Sequence, residues 1–408
     1  MPRIHGLWWA LLAIPGATLL SRTMSVNLKI FVTLFTAIFV TTVGAGVVAP
    51  LLPVYAHELG AGTFQIGLIF GAFSLSRSLF VPYFGSLSDR KGKKPFIASG
   101  LFLYFFLSLV YTISNNVETL VFVRLAQGFA SAMILPVAQA YVGLITPSQK
   151  EGRIMGLFNI SLYGGLSLGP ILGGVIKDAF NIQASFLTMG GLALLGFFLC
   201  FLFLPREPAG APVRGSGDSQ THSYLGLVKR PGVFSLFAFR TCFTTCIGIT
   251  WTFLPFLASM RLGLSSSAIG VVVMVNVFMA ALFQAPMGYL ADRLGPKWLV
   301  IFGGVVAVAS FLYLNEAFSF AHLVLANGIF GLAGGISFPA IMALGVVEGR
   351  RCQAMGSVMG LLALGHSVGM LVGPLLAGLV IDIFSFETVF FLGAGILLLG
   401  IILFWRGH

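Results

Sequence analysis

Three arginines interrupt long apolar stretches of the chain, where a charged side chain is costly. Arg77, Arg124 and Arg240 each stand well inside such a stretch. Charges in apolar surroundings usually face a cavity or mark a pathway for ions or substrate. A guanidinium group can bind a carboxylate or phosphate through two parallel hydrogen bonds. The three arginines are therefore candidates for binding a substrate anion or for coupling to protons, unless each only hydrogen-bonds nearby helix carbonyls.

One histidine, His366, also lies deep in an apolar stretch, whereas the acids avoid such places. All 12 Asp and Glu residues lie between the apolar stretches or at their ends. An unperturbed imidazole titrates at a pKa of about 6.5, so His366 could exchange a proton, although a structural role is the alternative. Asp178 and Asp382 could titrate at the ends of two apolar stretches. Proton coupling through a deeply buried carboxylate is not indicated.

The composition indicates that the apolar stretches cross a membrane. The 408 residues are 58% hydrophobic and 9% charged, whereas soluble domains carry about 25% charged residues. A hydrocarbon core about 30 Å thick requires about 20 apolar residues per helix, and runs of that length recur through the chain. We predict twelve spanning helices, over residues 29–54, 63–85, 95–114, 117–145, 154–177, 185–204, 233–257, 266–290, 298–315, 319–347, 355–381 and 386–405.

The basic residues predict the orientation of the chain in the membrane. Most Lys and Arg residues fall in alternate loops, whereas the intervening loops carry Glu58, Glu118, Glu316 and Glu387. Basic loops face the cytoplasm, so we expect both termini there and the protein in the inner membrane of the cell. The net charge of +11 therefore sets topology and does not indicate a nucleic-acid partner.

An internal repeat predicts the architecture. A shift of 203 residues aligns "GSLSDRKGKK" (85–94) with "GYLADRLGPK" (288–297). A shift of 204 residues aligns 154–180 with 358–384, where Met-Gly-Leu, Gly-Pro and a later Asp and Phe coincide. The chain is therefore one six-helix unit used twice in parallel orientation, a build that many membrane transporters share.

Three motifs resemble those of the major facilitator superfamily and, within it, those of the twelve-helix drug:proton antiporters. The turn at 85–94 is similar to the motif between the second and third helices, and "RLAQG" (124–128) to the fourth-helix motif. "GLSLGPILGG" (165–174) is similar to the fifth-helix motif of the antiporters. The resemblance implies an all-α membrane protein of two pseudo-symmetric six-helix bundles, in which Arg124 takes part in coupling.

The resemblance also implies a conformational latch at the turn after the second helix. In the family, the equivalent of Asp89 meets the N-terminus of the eleventh helix, here near Met355, and closes the cytoplasmic side. A carboxylate gains about 0.3–1 kcal/mol at a helix N-terminus. Asp292 is expected to make the symmetric contact near Arg153, and a solvated turn that only sets topology is the alternative. The residues of the expected latch are Gly85, Asp89, Arg90, Gly92, Gly288, Asp292 and Arg293.

Glycines recur every fourth residue on the fifth helix and again on the eleventh, so one face of each helix is bare backbone. A proline in each run removes a hydrogen bond and favours a kink. The family implies a tightly packed hinge between the halves, and ordinary close packing of helices is the alternative. The residues of the expected hinge are Gly165, Gly169, Pro170, Gly173, Gly369, Gly373 and Pro374.

The remaining segments set the predicted domain bounds. Residues 205–232 are rich in Pro, Gly, Ser and charge, which is typical of a flexible linker. We expect this cytoplasmic linker to join an N-terminal bundle, 29–204, to a C-terminal bundle, 233–405. The N-terminal segment 1–28 contains an apolar run too short to span, so it is either an interfacial helix or an over-long start, with Met24 as the true one.

Several function classes are excluded. The sequence contains no phosphate-binding GxxxxGK[ST] motif, no cluster of metal ligands and no nucleophile–histidine pattern, so we expect no enzyme, cofactor or metal. The 4 cysteines lie in apolar stretches or a cytoplasmic loop, so we expect no disulfide framework.

We therefore expect a secondary active transporter that exports small amphipathic organic molecules by alternating access, in antiport with protons. It is expected to work as a monomer in contact with membrane lipid. The deep arginines leave open an importer or facilitator of a small organic anion, and a non-transporting sensor or scaffold is a third possibility. The expected cavity residues are Phe70, Phe73, Phe80, Asn159, Tyr163, Asn276, Phe283, Gln284 and Asn327.

Cysteines introduced near Glu58 and Glu316 should react with an impermeant maleimide added outside sealed cells, because these loops are not the basic ones. Cysteines near Lys93 and within 210–220 should react only after the membrane is permeabilised. The measurement is labelling before and after permeabilisation, and the reverse pattern would contradict the predicted orientation.

Overall fold

The structure, a computed structural model, describes residues 18–146, 151–205, 224–316, 318–352 and 354–408, which are helical almost throughout. Long apolar runs explain this, because a helix in lipid satisfies its backbone hydrogen bonds within itself. The helices are α1 (Thr18–Val48), α2 (Leu52–Glu58), α3 (Thr63–Lys91), α4 (Lys93–Thr112), α5 (Val117–Ile145), α6 (Glu151–Ala179), α7 (Ile182–Phe203), α8 (Tyr224–Val228), α9 (Pro231–Leu262), α10 (Ser266–Leu294), α11 (Pro296–Asn315), α12 (Phe320–Arg351), α13 (Met355–Ile383) and α14 (Phe386–Gly407).

Twelve spans in the described ranges are long and apolar enough to cross a membrane, with α1 and α2 together forming the first. The predicted twelve-helix fold is confirmed. Some helices run past their predicted ends: α3 continues from 85 to Lys91, and α9 from 257 to Leu262. Hydropathy marks the edge of the apolar layer, whereas helical hydrogen bonds continue into the polar boundary.

The spans pack as two six-helix halves. In the first half α1 packs against α6 and α7, and α3 packs against α5. The second half repeats these contacts, with α9 against α13 and α14 and α10 against α12. The halves meet along two symmetric seams, α6 with α10 and α13 with α3. The repeat in the sequence is therefore a structural repeat, and α6 and α13 each contact both halves.

The glycine runs of α6 and α13 pack within their own halves. A Cβ atom on Gly165, Gly169 or Gly173 would collide with main-chain atoms of α1. Gly369 and Gly373 of α13 meet main-chain atoms of α9 in the same way. This arrangement differs from the expected hinge, because these glycines hold each half together rather than joining the two halves.

The seams between the halves use a neighbouring face of the same two helices. The Pro170 carbonyl of α6 lies against Gly270 of α10, and the Pro374 carbonyl of α13 lies against Gly67 of α3. Neither glycine has room for a Cβ atom. Small residues let helix backbones approach this closely in a membrane. The prolines of the expected hinge therefore lie in the seams, while its glycines lie one face away.

Beyond each seam a carboxylate of one half caps a helix of the other half. Asp178 of α6 accepts hydrogen bonds from the Ser266 N–H at 3.0 Å and the Ser267 N–H at 2.7 Å, at the start of α10. Asp382 of α13 accepts one from the Phe64 N–H at 3.1 Å, at the start of α3. Exposed N–H groups and the positive end of the helix dipole favour a carboxylate there. We call this end of the molecule the closed end.

The halves separate toward the other end, which carries the basic turns and which we call the open end. On α3, Gly67 touches α13, whereas a Cβ atom on Gly85 would meet no described atom within 4 Å. On α6, Pro170 touches α10, whereas Gly156 has equally open surroundings. The two halves therefore form a wedge whose apex is the closed end.

In Gly67→Ala and Gly270→Ala, the added methyl group would press on a proline carbonyl across a seam, so the closed end should open. Spin labels on Glu118 and Glu316, which are exposed at this end in different halves, should then move apart. Electron–electron resonance would measure the distance. Gly191→Ala adds the same group where no described atom lies within 4 Å, and should change nothing. Unchanged distances in all three variants would contradict the role given to the seams.

Candidate functional site

A cavity of about 380 Å³ lies between the halves, on the open-end side of the seams. Five helices of the first half (α1, α3, α4, α5 and α6) and four of the second (α9, α10, α12 and α13) form its wall. The wall is mostly apolar and includes Phe70, Phe73, Trp251 and Phe338. A concave, largely apolar pocket with a few polar groups is the usual form of a small-molecule site.

The charged and titratable residues singled out within the apolar stretches all line this cavity. They are Arg77, Arg124, Arg240 and His366, contributed by four different helices. No Asp or Glu is among the lining residues in the part of the chain that the structure describes. Three guanidinium groups thus share an apolar chamber without a carboxylate, and such a chamber attracts anions and repels cations.

Arg124 is held by its own half. Its Nε donates to the Ile69 carbonyl at 3.3 Å, and its Nη1 donates to Gln127 Oε1 at 2.9 Å. Its guanidinium carbon lies 4.5 Å from the ring centre of Phe73 and 5.0 Å from that of Phe70. Aromatic faces attract a cation. Arg124 therefore ties α5 to α3 through two hydrogen bonds and two aromatic contacts.

Gln127 accepts a hydrogen bond from this arginine, and it is not among the site residues predicted from the sequence. Its Oε1 also accepts a hydrogen bond from the Tyr111 hydroxyl at 2.9 Å, and its side chain is buried. Residues three apart on a helix share a face. The signal was therefore present in "RLAQG", where Gln127 follows Arg124 at that spacing.

Arg240 is less completely paired. Its Nη2 lies 3.4 Å from Nδ1 of His366, and its guanidinium carbon lies 4.3 Å from the ring centre of Phe338. Its buried Nε has no hydrogen-bond partner among the described residues. Because arginine can only donate, Nδ1 of His366 accepts, and the imidazole is neutral with its proton on Nε2. His366 therefore faces a fixed cation rather than a carboxylate.

Arg77 lines the cavity from α3, in the other half from Arg240. Within the described ranges its guanidinium forms no hydrogen bond or ion pair. His366 lies within electrostatic reach of both Arg77 and Arg240. Arg240 thus contacts the neutral histidine within its own half, and Arg77 lines the same cavity from the other half.

Five of the nine cavity residues expected from the sequence line the cavity: Phe70, Phe73, Tyr163, Asn276 and Gln284. Asn327 instead supports the wall, because its carbonyl accepts a hydrogen bond from the Asn276 amide at 2.9 Å. Phe80 packs against Phe129, with ring centres 4.7 Å apart. Phe283 and Asn159 are also not among the described lining residues.

Glycines shape the two basic turns at the open end. Gly92 follows α3 with φ of 85°, and Gly295 follows α10 with φ of 86°. Glycine adopts positive φ without the steric cost that other residues meet. In the last turn of α10, just before Gly295, Arg293 lies over the ring of Tyr289, with its guanidinium carbon 4.5 Å from the ring centre. The repeated sequence motif is thus also a repeated backbone geometry.

The expected latch is described only on one side. Asp89 is 43% exposed and pairs with Lys93 at 3.2 Å. The side chains of its expected partner region at Met355, and those of Asp292 and Arg153, lie outside the described residues. Both contacts of the latch stay predictions.

Comparison with known proteins agrees with this architecture. The model of the Major Facilitator Superfamily matches residues 34–267 and 241–407. An uncharacterized MFS-type transporter of Methanocaldococcus jannaschii is 28% identical over 371 residues, which cover 88% of this chain and 94% of that protein. Quinolone resistance protein NorA of Staphylococcus aureus is 25% identical over 391 residues, which cover 92% of this chain and 96% of NorA.

A solved structure shares the fold. The crystal structure of nucleoside transporter NupG aligns with a TM-score of 0.77 at 15% identity, over 93% of this chain and 98% of that one. The family match to both halves, the twelve spans and the central cavity lead to one conclusion. The chain belongs to the Major Facilitator Superfamily: it is a multi-pass membrane transporter, not an enzyme, and it resembles the drug-efflux members of that family.

Proposed function

We propose that this transporter exports small amphipathic organic molecules from the cytoplasm by alternating access. The observation that carries the proposal is the cavity between two halves that touch at one end and separate at the other. A site between two such halves can be offered to each side of the membrane in turn as the halves rock around it.

The orientation in this proposal comes from the basic residues. The open end carries the turns with Arg90 and Arg293, so the positive-inside rule assigns it to the cytoplasm. The described conformation would then receive substrate from inside. Both termini would lie in the cytoplasm, with the protein in the inner membrane of the cell. One chain forms the whole cavity, so a monomer suffices.

The apolar wall and the relatives support the substrate class. A drug-sized amphipathic molecule suits a largely apolar pocket with a few polar groups. NorA, which aligns along almost the whole chain, is named for quinolone resistance. The deep arginines favour a second candidate, an importer or facilitator of a small organic anion, and the direction of net transport separates the two.

The carboxylates at the closed end offer a route for proton coupling. Asp178 and Asp382 each cap a helix of the opposite half. Protonation would remove the charge that attracts the helix N-terminus and would weaken each cap. Protons from outside would thus favour opening of the closed end and release of substrate, as antiport requires. The cavity lacks an acid for this task among its described lining residues.

The basic turn would close the cytoplasmic side in the opposite conformation. Asp89 lies at the open end, where the halves are apart in this structure. When the halves rock together there, its carboxylate could reach the N-terminus of α13. Caps at one end and a latch at the other would then stabilise the two states in alternation.

Transport by the purified chain tests the proposed function. In liposomes, amphipathic compounds loaded on the open-end side should move outward faster when the opposite side is acidic. A panel of anionic, neutral and cationic aromatic compounds, with and without a pH gradient, would be measured. Absence of transport for every class would reject the proposal, and inward movement of anions alone would favour the second candidate.

Asp178→Asn and Asp382→Asn should each open the closed end by removing a charge–dipole attraction of about 0.3–2 kcal/mol. The distance between spin labels on Glu118 and Glu316 should lengthen, as it should in the unmodified protein at low pH. The double variant should no longer respond to pH. Glu387→Gln is the matched control, because Glu387 pairs with Arg261 of the same half at the same end. An equal effect of the control would reject the caps as the proton-sensitive groups.

Asp89→Asn should slow transport while leaving the amount of protein in the membrane unchanged, because it removes the latch and no spanning residue. A loss of about 1 kcal/mol corresponds to roughly a fivefold shift between the two states. Transport is measured at equal membrane abundance. Glu118→Gln, at the other end, supplies the charge-matched control. Normal transport by Asp89→Asn protein would reject the latch.

A further inference from the structure

We propose that the acid group of an amphipathic organic carboxylate binds between Arg77 and Arg240, so that both halves hold one anion. The proposal rests on the proposed function and deepens it, because it assigns the charge of the transported molecule in the same cavity. The binding pair takes one arginine from α3 and one from α9.

Unused hydrogen-bond donors point to this pair. Each guanidinium carries five N–H donors and no acceptor. Among the described residues, Arg77 donates to none, and Arg240 donates only to His366, at 3.4 Å. The Nε of Arg240 is buried without a partner. A buried donor without an acceptor is unfavourable, so the site is incomplete until an acceptor enters it.

Arg124 does not fill this role, although the family motif singles it out. It donates to the Ile69 carbonyl and to Gln127, and its guanidinium lies against two phenylalanine rings. Its positive charge still raises the potential of the chamber. Its hydrogen bonds, however, serve the contact between α3 and α5.

The surroundings of the pair suit a carboxylate. His366 lies within electrostatic reach of both arginines and accepts from Arg240 through Nδ1, so its Nε2–H is a third donor in this region. A carboxylate can accept from several donors at once. No Asp or Glu among the described lining residues competes for the arginines.

The apolar wall suits the rest of such a molecule. Trp251, Phe73 and Phe338 all line the same chamber. Phe338 also covers the guanidinium of Arg240, with the ring centre 4.3 Å from its carbon. An aromatic acid would therefore place its charge at the arginine pair and its ring against aromatic side chains, which favour offset or edge-to-face contacts.

Binding of three compounds with one ring system tests the charge assignment. 1-Naphthylacetate, 1-naphthylacetamide and 1-(1-naphthyl)ethylamine would be titrated against the full chain in nanodiscs of phosphatidylcholine. The carboxylate should bind about ten- to a hundredfold more tightly than the amide, and the amine more weakly still. Equal affinity for carboxylate and amide would overturn the proposal.

Variants then test the residues. Arg77→Gln and Arg240→Gln should each weaken carboxylate binding about ten- to a hundredfold and change amide binding less than about threefold. Arg350→Gln is the charge-matched control, because Arg350 is exposed at the end of α12, away from the cavity, and should bind like the unmodified chain. Arg124→Gln should weaken carboxylate binding less than Arg77→Gln or Arg240→Gln does, because Arg124 adds only to the potential of the chamber. Equal losses for both compounds in Arg77→Gln and Arg240→Gln would overturn the assignment.

A double variant tests whether the two arginines hold the same group. If they do, Arg77→Gln combined with Arg240→Gln should lose less than the product of the two single losses. Strictly multiplicative losses would overturn a shared carboxylate. Should a glutamine variant fail to fold, Arg77→Lys and Arg240→Lys keep the charge but lose the planar fork, and should show a smaller but selective loss for the carboxylate.

Two further binding measurements identify the source of the anion. Inorganic phosphate should compete only weakly, because it lacks an apolar body. Phosphatidylglycerol added to the nanodiscs should leave the affinity for 1-naphthylacetate unchanged, whereas competition would assign the arginines to a lipid headgroup and overturn the proposal. The liposome assay separates this proposal from the proposed function: export of amides and amines without carboxylates would reject the anion site and keep the transporter.

Discussion

The close approach of bare backbones at the two seams is the constraint on which the rest of the structure depends. Pro170 against Gly270 and Pro374 against Gly67 hold the halves together near one end. A wedge fixed in this way leaves a chamber on one side of the seams and brings carboxylates near opposing helix starts on the other. The cavity and the caps are therefore two consequences of one packing contact.

Hydrogen-bond satisfaction separates the arginines more clearly than depth in the membrane does. All three line the cavity, yet Arg124 has hydrogen-bond and aromatic partners in its own half, while Arg77 donates to no described residue and Arg240 keeps a buried Nε without a partner. A cation whose partners lie in its own half contributes to the fold. A cation with unused donors in an apolar chamber contributes to recognition, because it gains most when an acceptor arrives.

The fold was largely predictable, since span number and the repeat follow from hydropathy and from alignment of the two halves. The cavity position of Arg77, Arg124, Arg240 and His366 was predictable for a related reason: charge in lipid must face inward. Which face of α6 meets which half was not predictable, because glycines on adjacent faces look alike in one sequence. The helix start that Asp178 caps, at Ser266, lies far away along the chain, so only the assembled halves reveal it.

At Gly67 and Gly270 a glycine lies against a carbonyl, so no side chain has to disengage at these two points when the halves move. Rocking across them would exchange one set of weak backbone contacts for another. The two carboxylate caps, which are exposed to the solution beside the membrane, would then add to the resistance to motion. The rate of transport would accordingly depend on the ionic strength of the surrounding solution, because salt screens such charge–dipole contacts.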